Sequence, residues 1–228
     1  MTWQRRLAEE AIRYVRDEPG VEAVEVTGSL ADLDGAQVDA WSDVDLRVVV
    51  AAGQVLDCAR WVARLGAPWA LTTQATPEGH VHRVVFDDGR RLDVVVHQRG
   101  GLGVEAPPAP GDDLAEFRQA AALAVVKLAR DDLLIGTHLA LGLVQRCLEQ
   151  AMALRDRELG TTSHRSGGPL NEVVARLDRL RRHPWTADGG MALVREAAEV
   201  HDELAARLDP SYVADLSGLD ALVQQAGR

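Results

Sequence analysis

Two aspartates, Asp43 and Asp45, lie two positions apart in a segment with the pattern of a β-strand. Side chains two positions apart leave the same face of a strand, so the two carboxylates are expected side by side, with Val44 and Leu46 on the opposite, apolar face. Adjacent carboxylates repel each other unless a cation lies between them. A hard divalent ion such as Mg²⁺ prefers oxygen ligands and would remove that repulsion. The spacing therefore predicts a metal site.

A third carboxylate, Asp93, is expected on another strand, between Leu92 and Val94, which face the other side. That strand could lie beside Asp43 and Asp45. Three carboxylates on one sheet face suit in-line phosphoryl or nucleotidyl transfer, and a two-metal site is expected, because metal ions neutralise the charge that develops on phosphate oxygens. Asp93 could also accept the proton of an attacking hydroxyl. The sequence leaves open whether Asp93 is a metal ligand or the base, and whether a glutamate of the helical half is the base instead.

Gly28 and Ser29 directly follow another predicted strand. A glycine lets the backbone approach a phosphate closely. The serine hydroxyl and the N–H groups of the following turn can bind an anion. This pair therefore predicts a nucleotide-binding loop that holds the triphosphate.

The chain has a single lysine, Lys127, in an otherwise apolar helical run. Such a position indicates that the side chain points inward or towards a cleft. A lysine there could neutralise a triphosphate as a point charge. Lys127 is therefore a candidate nucleotide-binding residue, and its alternative interpretation is an ordinary surface residue of a helix.

The predicted secondary structure that must position these residues changes along the chain from mixed helices and strands to helices alone. The pattern predicts a helix over 3–16, strands over 21–27, 43–50, 69–73, 82–86 and 91–97, and a helix over 53–65. Asp88-Gly89 between two apolar runs indicates a hairpin. Residues 99–111 are rich in glycine and proline, which predicts a linker. Helices are predicted beyond it, over 112–130, 131–159, 170–181, 191–208 and 211–225. The fold class is therefore α+β, with a small mixed-sheet domain over 1–100 followed by an all-helical bundle domain over 101–228.

The composition and charge of the chain argue against several classes of protein. The 228 residues are 46% hydrophobic and 26% charged, which is typical of a globular chain. A formal net charge of −10 argues against sequence-independent nucleic-acid binding and suits a cationic small molecule. The apolar runs are shorter than a membrane span needs, so a cytoplasmic protein without a membrane partner is expected. The two cysteines predict neither a disulfide framework nor a thiolate zinc site.

The order of the chemical motifs resembles that of a known superfamily. A strand, Gly28-Ser29, a spacer and then Ser42-Asp43-Val44-Asp45-Leu46 are similar to the nucleotidyltransferases that share the DNA polymerase β catalytic core, and Asp93 completes the pattern. The resemblance covers about residues 21–97. The helical half is similar in layout to the antibiotic nucleotidyltransferases of the aminoglycoside and lincosamide type, and residues 127–132 resemble the start of their helical segment. The long spacer between Gly28-Ser29 and the aspartate pair also suits that larger type.

The resemblance implies an enzyme and its substrates. It implies a Mg²⁺-dependent adenylyltransferase that moves AMP from ATP to a hydroxyl of a small molecule, with antibiotic resistance as the role and an aminoglycoside as the acceptor. Asp43, Asp45 and Asp93 would hold metal, and the family places a serine at the position of Ser42 against the triphosphate. Which nucleoside triphosphate is used, which residues bind the acceptor and how the protein oligomerises are left open.

Two other functions fit the same motifs. One is an antitoxin-like enzyme that adenylylates a partner protein, although such enzymes are usually shorter and lack a fused helical domain. The other is a non-catalytic nucleotide-binding protein on the same scaffold. The presence of all three carboxylates argues against this second alternative.

Overall fold

The computed structural model describes residues 1–31, 38–77, 79–99, 113–160, 171–180 and 182–227. The chain forms two compact units, Met1–Gln119 and Ala120–Arg228. The predicted linker, apart from Arg99, and the predicted domain boundary at residue 100 lie outside the described residues.

The first unit contains a mixed sheet of five strands. Its elements are α1 (Trp3–Arg16), β1 (Val21–Thr27), a short 3₁₀ turn (Gly28–Leu30), β2 (Val44–Val50), α2 (Cys58–Val62), β3 (Pro68–Thr76), β4 (Gly79–Phe86) and β5 (Arg91–Gln98). The strands lie in the order β1-β2-β5-β4-β3. The β2–β5 pair is parallel, and the other three pairs are antiparallel.

The hydrophobic core lies between one face of this sheet and the helices α1 and α2. Alternate residues of β2 and β5, among them Leu46, Val48, Leu92 and Val94, are fully buried there with Trp61 of α2. Because strand side chains alternate between faces, the residues between them project from the opposite face. Asp45 and Asp93 are two of these residues, and both are only partly buried. Apolar burial on one face thus determines which face the carboxylates occupy.

The second unit is helical. It contains most of α3 (Asp113–Ala129), followed by α4 (Leu133–Leu159), α5 (Asn171–Leu180), α6 (Ala187–Leu208) and α7 (Ser217–Ala226). Leu128 of α3 packs against two glycines, Gly136 of α4 and Gly190 of α6. An added Cβ at either glycine would come within 2.7 Å of the Leu128 side chain. The helices can therefore approach closely only because these positions lack side chains.

The predicted α+β class is confirmed, with a sheet followed by helices. Most helix and strand bounds agree within three residues, and the clearest differences have local causes. The helix predicted over 53–65 is only Cys58–Val62, because Gly53 has a left-handed φ of 74° and the Asp57 side chain accepts a hydrogen bond from Arg60 N at the helix start. The last helix begins at Ser217 rather than 211, because the Tyr212 hydroxyl donates to Asp202 at 2.6 Å and holds the preceding loop.

The sixth helix starts four residues earlier than the predicted 191. The Thr186 side chain accepts a hydrogen bond from Gly189 N, and this cap outweighs the low helix propensity of Gly189 and Gly190. Within the part of the chain that the structure describes, no helix combines the length and apolarity needed to cross a membrane.

Candidate metal centre

Three carboxylates converge on the face of the sheet opposite to α1 and α2. Asp45 of β2 and Asp93 of β5 are direct partners in the parallel ladder. Asp43 immediately precedes β2. One carboxylate oxygen from each of Asp43, Asp45 and Asp93 lies within 4.8 Å of the others. The structure therefore brings together the three residues that the sequence singled out as metal ligands.

A row of polar side chains crosses the whole sheet at the level of the carboxylates. The ladder registers place its members opposite one another, in the order Thr27, Asp45, Asp93, Arg83 and Thr72. Within this row, Arg83 Nε lies 3.4 Å from Asp93 Oδ2. Arg83 Nη1 also donates to Gln74 Oε1 at 3.1 Å. The carboxylates of Asp45 and Asp93 thus have the guanidinium of Arg83 beside them, on the side of β4.

The carboxylates are electrostatically unfavourable to one another. Burial, and then the charge of Asp43, raises the pKa of Asp45 to about 6. Burial also raises the pKa of Asp93 to about 7, with Asp43 and Asp45 adding to the rise and the cations of Arg83 and Arg91 opposing it. Asp45 and Asp93 therefore ionise less readily than free aspartates, and Asp43 adds a third carboxylate beside them. A site of this kind favours a bound cation, because the cation stabilises the charged carboxylates.

The donor set fits Mg²⁺. All three side chains offer carboxylate oxygens, which are the ligands that hard divalent cations prefer. No thiol or imidazole takes part in this cluster. A divalent cation held by Asp43, Asp45 and Asp93 would offset both the burial and the repulsion that raise the pKa values of Asp45 and Asp93.

Gly28 lies directly against this cluster. Its φ is 65°, and a Cβ built there would overlap Oδ2 of Asp45. Both observations require a residue without a side chain. Ser29 follows in the same short 3₁₀ turn and is partly buried. The Gly28-Ser29 segment thus adjoins the carboxylates, as a nucleotide-binding loop would have to.

Ser42 is held in a turn with Asp39. Its hydroxyl donates to Asp39 Oδ1 at 2.9 Å and accepts from Asp39 N at 3.0 Å, and the residue is only 2% exposed. The structure therefore gives the Ser42 hydroxyl a role in the backbone turn that precedes Asp43. The contact with a triphosphate stays a prediction.

Lys127 belongs to the second unit. Its ammonium lies 3.5 Å from Asp132 Oδ2, and its side chain is 30% exposed. The ion pair joins the end of α3 to the residue that caps α4, since Asp132 also accepts a hydrogen bond from Ile135 N. Nucleotide binding by Lys127 likewise stays a prediction.

Arg83 adjoins the carboxylates, although no sequence motif predicts it as a site residue. It is the cross-strand partner of Asp93 in the β4–β5 hairpin. Asp88-Gly89 marks the turn of that hairpin, so counting back from the turn could have placed position 83 opposite position 93. The signal is in the hairpin register rather than in any local motif.

Comparison with known proteins gives little on function. No family model matches the chain, and no curated protein matches it. Among solved structures, the crystal structure of an aminoglycoside 6-adenyltransferase from Bacillus subtilis is similar over 100% of this chain and 98% of that one, with 12% sequence identity and a TM-score of 0.31. At this identity and TM-score the likeness says nothing about activity or substrate.

Proposed function

We propose that the protein is a Mg²⁺-dependent nucleotidyltransferase that transfers AMP from ATP to a hydroxyl of a cationic small molecule, an aminoglycoside-type antibiotic being the best candidate. The observation that carries the proposal is the convergence of Asp43, Asp45 and Asp93 beside the left-handed Gly28. Mg²⁺ bound there would neutralise charge on the phosphate oxygens and so favour displacement at the α-phosphorus.

The chain's own residues divide the remaining work. Gly28 lets the Asp45 carboxylate lie directly against the turn, and Ser29 supplies a hydroxyl in that same turn. Asp93 belongs to the carboxylate cluster, and either as a metal ligand or as the base that accepts the proton of an acceptor hydroxyl it would serve the transfer. Arg83, ion-paired with Asp93 Oδ2, restricts the orientation of that carboxylate.

The class of acceptor follows from charge and from the family resemblance. A chain with a net charge of −10 attracts cations over distances of about a Debye length, roughly 8 Å at physiological ionic strength. A polyamine sugar such as an aminoglycoside carries both the positive charge and the hydroxyl groups that the reaction needs. The resemblance of the helical half's layout to the antibiotic nucleotidyltransferases supports the same class.

ATP binding is expected to depend on a divalent metal. ATP with Mg²⁺ should raise the melting temperature by several degrees, since a ligand at about 100 times its Kd stabilises the native state by about 2.7 kcal/mol. ATP with EDTA should give no rise, because the triphosphate would then face three uncompensated carboxylates. Differential scanning fluorimetry with ATP, Mg²⁺ and EDTA in all combinations measures this. Equal stabilisation by ATP with and without metal would show that the carboxylates are not the nucleotide site.

A cationic antibiotic is expected to become adenylylated. Incubation with α-³²P-labelled ATP and a panel of aminoglycosides should yield labelled product and release pyrophosphate, with the same panel in EDTA as control. A parallel panel of neutral sugars should remain unlabelled. Label appearing on a co-purified protein, and on no small molecule, would instead favour the protein-adenylylating alternative.

A further inference from the structure

We infer that Gln4 is a positioning residue for the metal centre, acting through the turn that precedes Asp43. The inference rests on the proposed metal site. Gln4 lies in the first turn of α1 and is 2% exposed. A glutamine so deeply buried needs hydrogen-bond partners, because an unsatisfied buried amide is costly.

Its partners are two carbonyls of the turn before Asp43. Gln4 Nε2 donates to Asp39 O at 2.9 Å and lies 3.5 Å from Ser42 O. One side-chain amide therefore reaches both ends of the four-residue segment 39–42. It ties this segment to α1, which is itself packed in the core through Leu7 and Ala11.

The same turn is closed by its own side chains. Asp39 Oδ1 accepts hydrogen bonds from Trp41 N and from Ser42 Oγ, both at 2.9 Å. Arg91, at the start of β5, donates to Trp41 O. The turn is thus held from α1 on one side and from β5 on the other.

Asp43 depends on this turn more than the other two carboxylates do. Asp45 and Asp93 belong to the β2–β5 ladder, whose register begins at Val44. Asp43 precedes that register, so the backbone hydrogen bonds of the ladder do not fix it. Its placement therefore comes from the turn, and Gln4 is the neutral group that holds the turn in place.

Among the residues that hold this turn, Gln4 can be replaced with the fewest effects on other interactions of the site. Replacing Arg91 would remove a cation that influences the pKa of Asp93. Replacing Asp39 or Ser42 would open the turn itself. Gln4→Met keeps a flexible side chain of similar length and removes the amide, both its N–H donors and its oxygen acceptor, so no charge near the carboxylates changes.

The test measures Mn²⁺ binding to the full chain by electron paramagnetic resonance of the free ion. Gln4→Met is expected to raise the Mn²⁺ dissociation constant about tenfold. The metal concentration that gives half-maximal transfer should rise by a similar factor, with kcat at saturating metal within about twofold of wild type. Val15→Ala is the matched control, since Val15 is fully buried at the other end of α1. It should lower the melting temperature without changing Mn²⁺ affinity.

Gln4→Asn serves as the second variant if Gln4→Met does not fold, because it keeps the amide and is shorter by one methylene. It should weaken Mn²⁺ binding several-fold. Wild-type Mn²⁺ affinity in a folded Gln4 variant with a lowered melting temperature would overturn the inference and leave a purely structural glutamine. Absence of Mn²⁺ binding to the wild-type chain would overturn the metal centre itself, so the two failures are distinguishable.

Discussion

Replacing Asp93 with asparagine is expected to reduce nucleotidyl transfer at least 10³-fold and, in the metal-free protein, to raise the melting temperature. Activity falls because the change removes charge stabilisation from the centre and a carboxylate that can accept a proton. Stability rises because burial and two neighbouring carboxylates make the ionised Asp93 unfavourable in the native state. Asp45→Asn should behave in the same way for the same reasons.

The gain in stability should depend on pH in a defined direction. The pKa of Asp93 is about 7 in the native state against an ordinary value of 3.8, so the native state holds its proton more tightly than the unfolded state does. The contribution of Asp93 to wild-type stability therefore decreases as pH rises between about 4 and 7. The advantage of Asp93→Asn should be absent near pH 4, grow through that window and reach about 1 to 2 kcal/mol above pH 7, allowing for partial solvent exposure.

Thermal unfolding in EDTA at several pH values, together with a transfer assay, measures both effects. Asp87→Asn is the control, since Asp87 is exposed and follows β4 in the same unit. It removes the same charge from the surface and should alter neither activity nor the pH profile. An Asp93→Asn protein that is less stable at every pH would mean that the carboxylate is structural.

Replacing Gly28 with alanine is expected to abolish metal-dependent ATP binding. The added Cβ would overlap Oδ2 of Asp45 and force the carboxylate or the turn to move. A displacement of about 1 Å in a catalytic group can cost about 10²-fold in rate. We expect a loss of at least that size in transfer, and the loss of the ATP and Mg²⁺ thermal shift.

Gly53→Ala separates this steric effect from backbone strain. Gly53 also has a left-handed φ, 74°, but a Cβ there would meet no atom within 4 Å. Both variants should lose about 1 kcal/mol of stability from the left-handed conformation. Only Gly28→Ala should lose ATP binding, and equal function in both variants would exclude a close contact between Gly28 and the site.

The faces of the strands could be predicted from the sequence because the signal is local. Val44, Leu46 and Val48 alternate with Asp45 and Arg47, and burial of the first set determines where the second set points. The same alternation in β5 places Asp93 on a polar face. The two-residue periodicity therefore predicts the sheet face on which the carboxylates lie, without any knowledge of how the strands pair.

Strand order and the surroundings of the site were beyond the sequence, because they depend on contacts between distant segments. No sequence feature within β2 or β5 indicates that these two strands pair in parallel. Gln4 resembles an ordinary polar residue of a helix, and its partner Asp39 is 35 positions away. Ser42 next to Asp43 has the residue type of a phosphate contact, yet its hydroxyl is used by the turn.

The sheet consists of two locally connected modules that meet at one parallel seam. The β1–β2 hairpin supplies Gly28 and Asp45, and the β3–β4–β5 meander supplies Arg83 and Asp93. Each module pairs strands that are consecutive in the chain, whereas the seam must close a loop of about fifty residues, which costs chain entropy. The carboxylate cluster therefore does not exist in either module alone. The electrostatic penalty of the clustered carboxylates therefore belongs only to the sheet in which the β2–β5 seam has closed, and neither module carries it alone.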